Sequence, residues 1–441
     1  MTGIKPALAE IKKEVHMKQW KEELVRYFYS GIKEKISPVL GLEVEHFIIE
    51  KLSGRAVPYE GRNGIRRILS DLMKEYPGAE AIIEEDLLGF TVPDFNITLE
   101  PAAQFEISIK TLEDIAEIGR IYSSFRKKLE NILSRFGYVL LNAGCQPQSP
   151  VAGIKMIPKK RYDLMDAHFA GLGTGGIEMM RGSASVQISI DYTSEEDFRD
   201  KIQAAYFYGP VFKLLCDNSP YFQGKQNNKH LLRTDIWHRV DPARCGILPD
   251  IFSPDYSFSD YADFIGRVAP IFLKKDGQII PTGEKTVEEI FADRAADDED
   301  IFHIISMVFP DVRLKKFLEL RFADSVPLPF ILAYCAMVKG LLYSREGLDY
   351  AKDRINSMHM TQEDILQAEK ECMEKGWDAI IYGKNAAQQA DEFLTMAQHN
   401  LEPGERPYLD AFRLVLRYGS VAAAEDAGKE TKTDETSEKS I

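Results

Sequence analysis

No run of apolar residues in this chain approaches the ~20 that a helix needs to cross a bilayer. The opening MTGIKPALAEIKKEV also lacks the apolar stretch that directs export. Neither a membrane span nor secretion is expected, and the cytoplasm is the expected location. Cysteine is scarce and unpatterned. Cys145, Cys216, Cys245, Cys335 and Cys372 are five in number with no Cys-x-x-Cys spacing, which reads as reduced thiols rather than a disulfide frame or a zinc site. Clustered Lys and Arg are missing too. At a net charge of -14, the chain has no basic surface for nucleic acid or an anionic membrane, although a few arginines could still hold a small anion. There is no internal repeat.

What is present is ample apolar material: 44% of 441 residues, enough for one large core or two. The stretch Ile97 to Ile109, ITLEPAAQFEISI, alternates on both sides of a Pro101-Ala102-Ala103 turn and predicts a β-hairpin. Gln104, Glu106 and Ser108 share one face of it, and Phe105, Ile107 and Ile109 the other. Three further strands repeat the split. Residues 39–49 set Glu43, Glu45 and Phe47 against Leu42, Val44 and Ile48. Residues 185–191 set Gln187 among serines against Val186, Ile188 and Ile190. Residues 314–324 set Phe317, Glu319 and Arg321 against Leu318, Leu320 and Phe322.

Helical spacing predicts an amino-terminal helix pair over 1–36 and helices over 327–424, broken near Gly340, Ser357 and Pro403. A helix ending before Gly137 follows a Thr111-x-x-Asp114 capping box, and another, kinked at Pro210, follows Ser194-x-x-Asp197. The intervening 37–326 forms the core, and 425–441 reads as a disordered polar tail. The glycine-rich run near 171–176 has neither the Gly-Lys-Ser/Thr ending nor the strand-to-helix setting of a phosphate loop, so it predicts a flexible loop covering substrate.

If the four strands share one antiparallel sheet, Glu43, Glu45, Glu100, Glu106 and Glu319 sit on one face beside Gln104, Gln187 and Arg321. Five carboxylates packed together repel and raise one another's pKa. A divalent cation resolves the repulsion. Oxygen donors with an amide, and no thiolate or multi-His cluster, point to Mg²⁺ or Mn²⁺, which usually hold nucleotide phosphates as well. The alternative is that each strand is simply solvated on its front.

Beyond periodicity, LGLEVEHF, ITLEPAAQFEIS, IPKKRYDLM, MMRGSASVQISIDYTSEED, NSPYFQGK, LRTDIWHRVDPARCGILP and FPDVRLKKFLELRFAD resemble, in order, the motifs of glutamate-cysteine ligases of the plant and proteobacterial type. The resemblance implies an α+β fold of the glutamine synthetase-like carboxylate-amine ligases: a curved antiparallel sheet with ATP and metals on its concave face and helices behind. It implies ATP-dependent joining of L-glutamate to L-cysteine through a γ-glutamyl phosphate, the first step of glutathione-type thiol synthesis. Motif matching makes Glu43, Glu45, Glu100, Glu106, Gln187 and Glu319 the metal-site candidates, with Glu319 and Arg321 catalytic. Arg233 is expected to pair with the glutamate α-carboxylate. Gln104, Met180 and Arg181 are expected near substrate, with Met179 beside them, and Lys159, Arg161 and Arg321 near phosphates. His168 and His303 are left as satisfied or surface histidines.

Two departures stand out: Pro101-Ala102-Ala103 where the family would carry glycines, and RFADS in place of a glycine-rich continuation. They leave open a γ-glutamyl ligase with another amine acceptor; a non-catalytic nucleotide or glutamate sensor is a rival of another class, against which the intact Glu43, Glu45, Glu106, Glu319 and Arg321 argue. Expected partners are small molecules only, on a monomer or homodimer.

Overall fold

The alternating stretches gather into one open antiparallel sheet of nine strands. In chain order these are β1 (Leu40–Glu50), β2 (Glu80–Ile83), β3 (Leu87–Thr91), β4 (Phe95–Leu99), β5 (Phe105–Leu112), β6 (Tyr138–Leu141), β7 (Ser185–Ile190), β8 (Val312–Leu314) and β9 (Leu318–Asp324). Across the sheet the order is β8-β9-β7-β1-β5-β4-β3-β2, with β6 paired to the end of β1. The computed structural model describes residues 19–173, 175–275 and 278–428. The expected amino-terminal helix up to residue 18 and the polar tail beyond 428 lie outside the described residues. A helix at 421–428 runs past residue 425, where that tail was expected to begin.

Register fixes the chemistry of the two faces. Glu43 lies opposite Ser108 on one side and Gln187 on the other, while Glu45 lies opposite Glu106, which in turn lies opposite Thr98. Because side chains alternate, this row points forward and Leu42, Val44, His46, Phe105 and Ile107 point back. A slip of one residue in any of these pairings would bury the carboxylates in the apolar core.

The helices in order are α1 (19–29), α2 (Ile65–Lys74), α3 (Ile115–Ser134), α4 (Lys160–Ala170), α5 (Gly175–Gly182), α6 (Glu195–Leu215) and α7 (Leu232–His238). α3 and α6 cover the back of the sheet, with Phe125 stacked 6.2 Å from Phe105 and Phe212 6.0 Å from Phe322. His46 is fully enclosed there. Its Nδ1 donates to the Phe105 carbonyl at 2.9 Å and its Nε2 accepts from the Tyr122 hydroxyl at 2.7 Å, while burial pushes its pKa down to about 3. The imidazole is therefore a neutral brace between β1, β5 and α3.

Helices Leu328–Leu342, Arg345–Met358, Gln362–Lys375, Ala386–Asn400 and Asp410–Tyr418 pack against α3 and α6. Gly340 does not break the first of them. It lets the Ala386–Asn400 helix approach, since a Cβ there would lie 2.7 Å from the Ala397 carbonyl oxygen.

Three further expectations change. The stretch 314–324 is not one strand but the hairpin β8–β9, pairing Arg313 with Glu319. The helix after β5 starts later than the Thr111 box suggested, because β5 continues through Thr111 to Leu112. Asp114 itself caps α3, accepting from the Ala116 amide at 2.7 Å. The third change concerns the segment around the glycine-rich run, where helices α4 and α5 pack on each other on either side of it instead of one long loop.

Its glycines allow close packing: a Cβ on Gly175 would lie 2.4 Å from the Arg239 carbonyl oxygen, and one on Gly176 would lie 2.3 Å from Phe169 Cβ. Gly175→Ala is accordingly expected to cost about 1–3 kcal/mol, read as a lower denaturant midpoint without any nucleotide present. An unchanged midpoint with weakened ATP binding would restore the phosphate-loop alternative.

Candidate active site

On the front of the sheet a cavity of about 310 Å³ is floored by Glu43, Glu45, Thr98, Glu106 and Gln187 from β1, β4, β5 and β7. Glu100 and Pro101 from the β4–β5 turn edge it. Lys159 and α4 form one wall, α5 supplies Met179 and Met180, and α7 supplies Arg233 and Trp237. The sheet thus provides acid, and the segments over it provide cations and sulfur.

Four of the five predicted carboxylates meet here without an ion pair to any described residue. Burial pushes Glu43 and Glu100 up to about 7 and Glu106 up to about 8. Neighbouring carboxylates add to each shift: Glu106 and Glu319 on Glu43, Glu45 on Glu100, and Glu100 and Glu45 on Glu106. Glu45 also rises through burial, opposed by Arg233 and the Ser185 amide. Among the described residues only neutral groups donate hydrogen bonds to these oxygens. The Thr98 hydroxyl donates to Glu106 at 2.6 Å, and the Ser185 amide and Gln187 Nε2 donate to Glu45 at 2.8 and 3.1 Å.

Glu319, expected as the fifth member, behaves differently. It is wholly buried and takes Arg313 at 2.7 Å, Lys315 at 2.5 Å and Arg321 at 3.1 Å. Burial alone would raise its pKa, yet these three cations hold it well below the usual carboxylate range. Both oxygens are occupied, so here it anchors Arg321 instead of adding to the uncompensated charge. Reading 314–324 as a single strand hid Arg313, whose position opposite Glu319 exists only because the chain turns back at 315–317.

Arg321 owes its direction to a β-bulge. The pairing of β9 with β7 shifts between Leu320 and Ala323, setting Arg321 and Phe322 against the single position of Gln187. Its guanidinium donates to Gln187 Oε1 at 2.7 Å and lies 5.6 Å from the Trp237 ring centre. Arg233 comes in from α7, with two of its nitrogens 3.3 Å from the Arg321 carbonyl. Its Nε–H is buried and has no hydrogen-bond partner among the described residues. Trp237, one helical turn beyond Arg233, was missed in the sequence although its i+4 spacing places both on one helix face.

Other predicted residues are placed as follows. Lys159 and Arg161 line the cavity, Lys159 near Glu84 at 3.9 Å and Arg161 donating to Ser306 at 3.1 and 3.3 Å. Arg181 does not reach the cavity. Asp166, 2.6 Å away, and the Ile154 carbonyl draw its guanidinium toward the loop before α4. Gln104 borders the cavity, but its amide is spent on the fold, donating to the Met180 and Ser183 carbonyls and accepting from the Ala102 amide. It ties the hairpin turn to α5. His168 contacts Asp241 and His303 donates to the Phe272 carbonyl, so both histidines are satisfied. The turn adopts a left-handed backbone at Ala103, φ 64°, the conformation that favours glycine.

Chemically, the set suits a hard cation. The unpaired donors are carboxylate oxygens, flanked by an amide and free of thiolate. Among the described residues no three metal-ligating side chains already converge as a cage. Carboxylate and amide oxygens are the donor type that Mg²⁺ or Mn²⁺ takes, with water and phosphate oxygens completing the shell.

Comparison with known proteins follows the same line. A model of glutamate-cysteine ligase family 2 matches residues 39–437. The chain is 28% identical over 389 residues to a chloroplastic glutamate–cysteine ligase A of Oryza sativa subsp. indica, covering 87% of this chain and 78% of the relative. It is 29% identical over 413 residues to the chloroplastic glutamate–cysteine ligase of Arabidopsis thaliana, covering 91% and 78%. The solved glutamate–cysteine ligase of Francisella tularensis in complex with AMP superposes with a TM-score of 0.55 at 11% identity, covering 89% of this chain and 84% of that one. That last likeness is one of fold, an α+β arrangement with an open sheet.

A carboxyl whose folded pKa stands at about 8 binds its proton more tightly folded than unfolded, so its burial costs stability as pH rises from about 4.5 toward 8. Glu106→Gln removes that cost and keeps the hydrogen bond from Thr98. In metal-free protein its melting temperature relative to wild type should climb between pH 5 and pH 8, by at most about 1.4 kcal/mol of stability per pH unit. A pH-independent difference would mean that Glu106 is not held protonated.

Proposed function

The chain belongs to glutamate-cysteine ligase family 2, and on that premise we propose that it joins the γ-carboxylate of L-glutamate to the amine of L-cysteine at the expense of ATP. The observation that carries this reading is the facing of four uncompensated carboxylates by Arg321 and Arg233 across one cavity. Acid on the floor suits a cation that brings in polyphosphate, and the arginines opposite suit the carboxylates and leaving groups of the substrates.

In the proposed reaction an oxygen of the γ-carboxylate attacks the γ-phosphorus of ATP, ADP departs, and γ-glutamyl phosphate forms. The amine nitrogen then attacks the acyl carbon. The C–O bond to phosphate breaks with its electron pair, phosphate leaves, and the nitrogen gives up a proton. Glu43, Glu45, Glu100 and Glu106 would hold Mg²⁺ or Mn²⁺ with Gln187 assisting, and the bound cation supplies neutralisation of charge on the phosphoryl oxygens. Arg233 offers its unpartnered Nε–H and a planar fork to the α-carboxylate of glutamate. Arg321, held between Glu319 and Gln187, is aimed at the developing oxyanion and the departing phosphate. Lys159 and Arg161 stand at the wall nearest Glu100, where they can meet phosphate.

Purified protein with ATP, Mg²⁺ and glutamate should release ADP on addition of cysteine and lose that activity when a chelator removes the cation. ADP release with a different amine alone would move the acceptor assignment, and none with any amine would favour a nucleotide or glutamate sensor. Arg233→Lys should raise the glutamate KM by about tenfold or more while leaving the ATP KM within about twofold, because an ammonium cannot reproduce the bidentate fork. Equal glutamate KM values would remove Arg233 from the substrate site.

A further inference from the structure

Behind the cavity wall lies a second charged cluster that the reaction above does not use. Lys213 of α6 is only 4% exposed, and its ammonium donates to Asp311 at 2.7 Å and to Glu369 at 2.5 Å. Glu369, 1% exposed on the Gln362–Lys375 helix, also lies 2.8 Å from His238 Nε2, in an ion-pair contact not aligned as a hydrogen bond. A buried lysine between two carboxylates is costly to assemble, since each ion gives up its water. Three covering aliphatic residues would fill the same space without that cost.

The ends of the chain of contacts suggest what it does. Asp311 accepts the Arg321 amide at 2.9 Å through its carbonyl oxygen, which fixes the bulge that aims Arg321. His238 closes the last turn of α7, the helix that carries Arg233 and Trp237. Lys213 therefore links the backbone beside the β9 bulge, through Asp311, to the end of α7, through Glu369 and then His238.

We propose that the Asp311–Lys213–Glu369–His238 cluster positions Arg321 and Arg233 relative to each other, so that the carboxy-terminal helices govern glutamate binding although none of their residues lines the cavity. This rests on the reading of Arg233 and Arg321 as substrate-facing groups. The charges are consistent with it: Lys213 leaves one of its two carboxylate partners unbalanced, and a protonated His238 would balance it. Burial pushes the Glu369 carboxyl up, but Lys213 and His238 override it and hold it at about 2. Burial works against His238 too, and Glu369 nevertheless raises it above its ordinary value.

Glu369→Gln and His238→Gln in the full chain test the assignment; the second changes a part-exposed side chain and spares the fold if the first does not. Each should raise the glutamate KM by about fivefold, equivalent to about 1 kcal/mol, with the ATP KM and the far-UV dichroism unchanged. A second readout needs no activity. The chain's tryptophans are Trp20, Trp237 and Trp377, so in a Trp20→Phe, Trp377→Phe background the emission of Trp237 reports the position of α7 against Arg321. Both variants should shift that emission. Variants that melt lower yet keep the parental glutamate KM and Trp237 emission would reduce the cluster to a structural brace and overturn the proposal. Should wild type release no ADP with any amine, the ligase reading fails on its own, and an unshifted Trp237 emission would still overturn the positioning role.

Discussion

Four carboxylates forced onto one face of a sheet without a counter-cation are the constraint around which this structure is arranged. Taking an ionised carboxylate out of water costs several kcal/mol unless it is paired, and among the described residues no cation forms an ion pair with Glu43, Glu45, Glu100 or Glu106, while hydroxyl, amide and backbone donors reach Glu45 and Glu106. Burial and their mutual repulsion push Glu43 and Glu100 up to about 7 and Glu106 up to about 8, and burial raises Glu45 as well. A protein whose sequence repeats this arrangement on separate strands has kept a locally unfavourable site, and such sites concentrate where chemistry is done.

The surrounding cations are kept off that floor by the fold itself. Glu319 collects Arg313, Lys315 and Arg321, and a bulge in β9 turns Arg321 toward the cavity instead of letting it neutralise Glu43 or Glu45 directly. Arg233 is held against the Arg321 carbonyl, with its guanidinium still presenting an unpartnered N–H. Acid and base thus face each other across space of substrate size. On the far side of the sheet, the neutral His46 and the aromatic contacts of α3 and α6 lock the strand register on which the whole arrangement depends.

Much of this was legible in the sequence because a half-buried strand writes its two faces in alternate letters. Glu43, Glu45, Glu106 and Gln187 could be placed on one face from period two alone, and the pairing register then joined them. Capping told where α6 begins, since Ser194 receives the Asp197 amide as the motif predicts. What could not be read were properties of contacts between distant segments. Nothing local marks the turn at 315–317 that brings Arg313 to Glu319, or the bulge at Arg321. Asp166, which draws Arg181 away, and the carbonyls that occupy Gln104 are likewise tertiary partners. The glycines at 175 and 176 misled for a related reason: composition reports that a side chain is absent, and only the packed neighbour says whether the space serves a ligand or a helix.

The proposed function requires this floor to exchange protons for a divalent cation when nucleotide binds. Calorimetric titration of Mg²⁺ and ATP into the metal-free protein at pH 7, repeated in two buffers of different ionisation enthalpy, measures that exchange directly. With Glu43 and Glu100 pushed up to about 7 and Glu106 to about 8, net release of about one proton or more per chain is expected on binding. Identical heats in the two buffers, with no proton released, would contradict it.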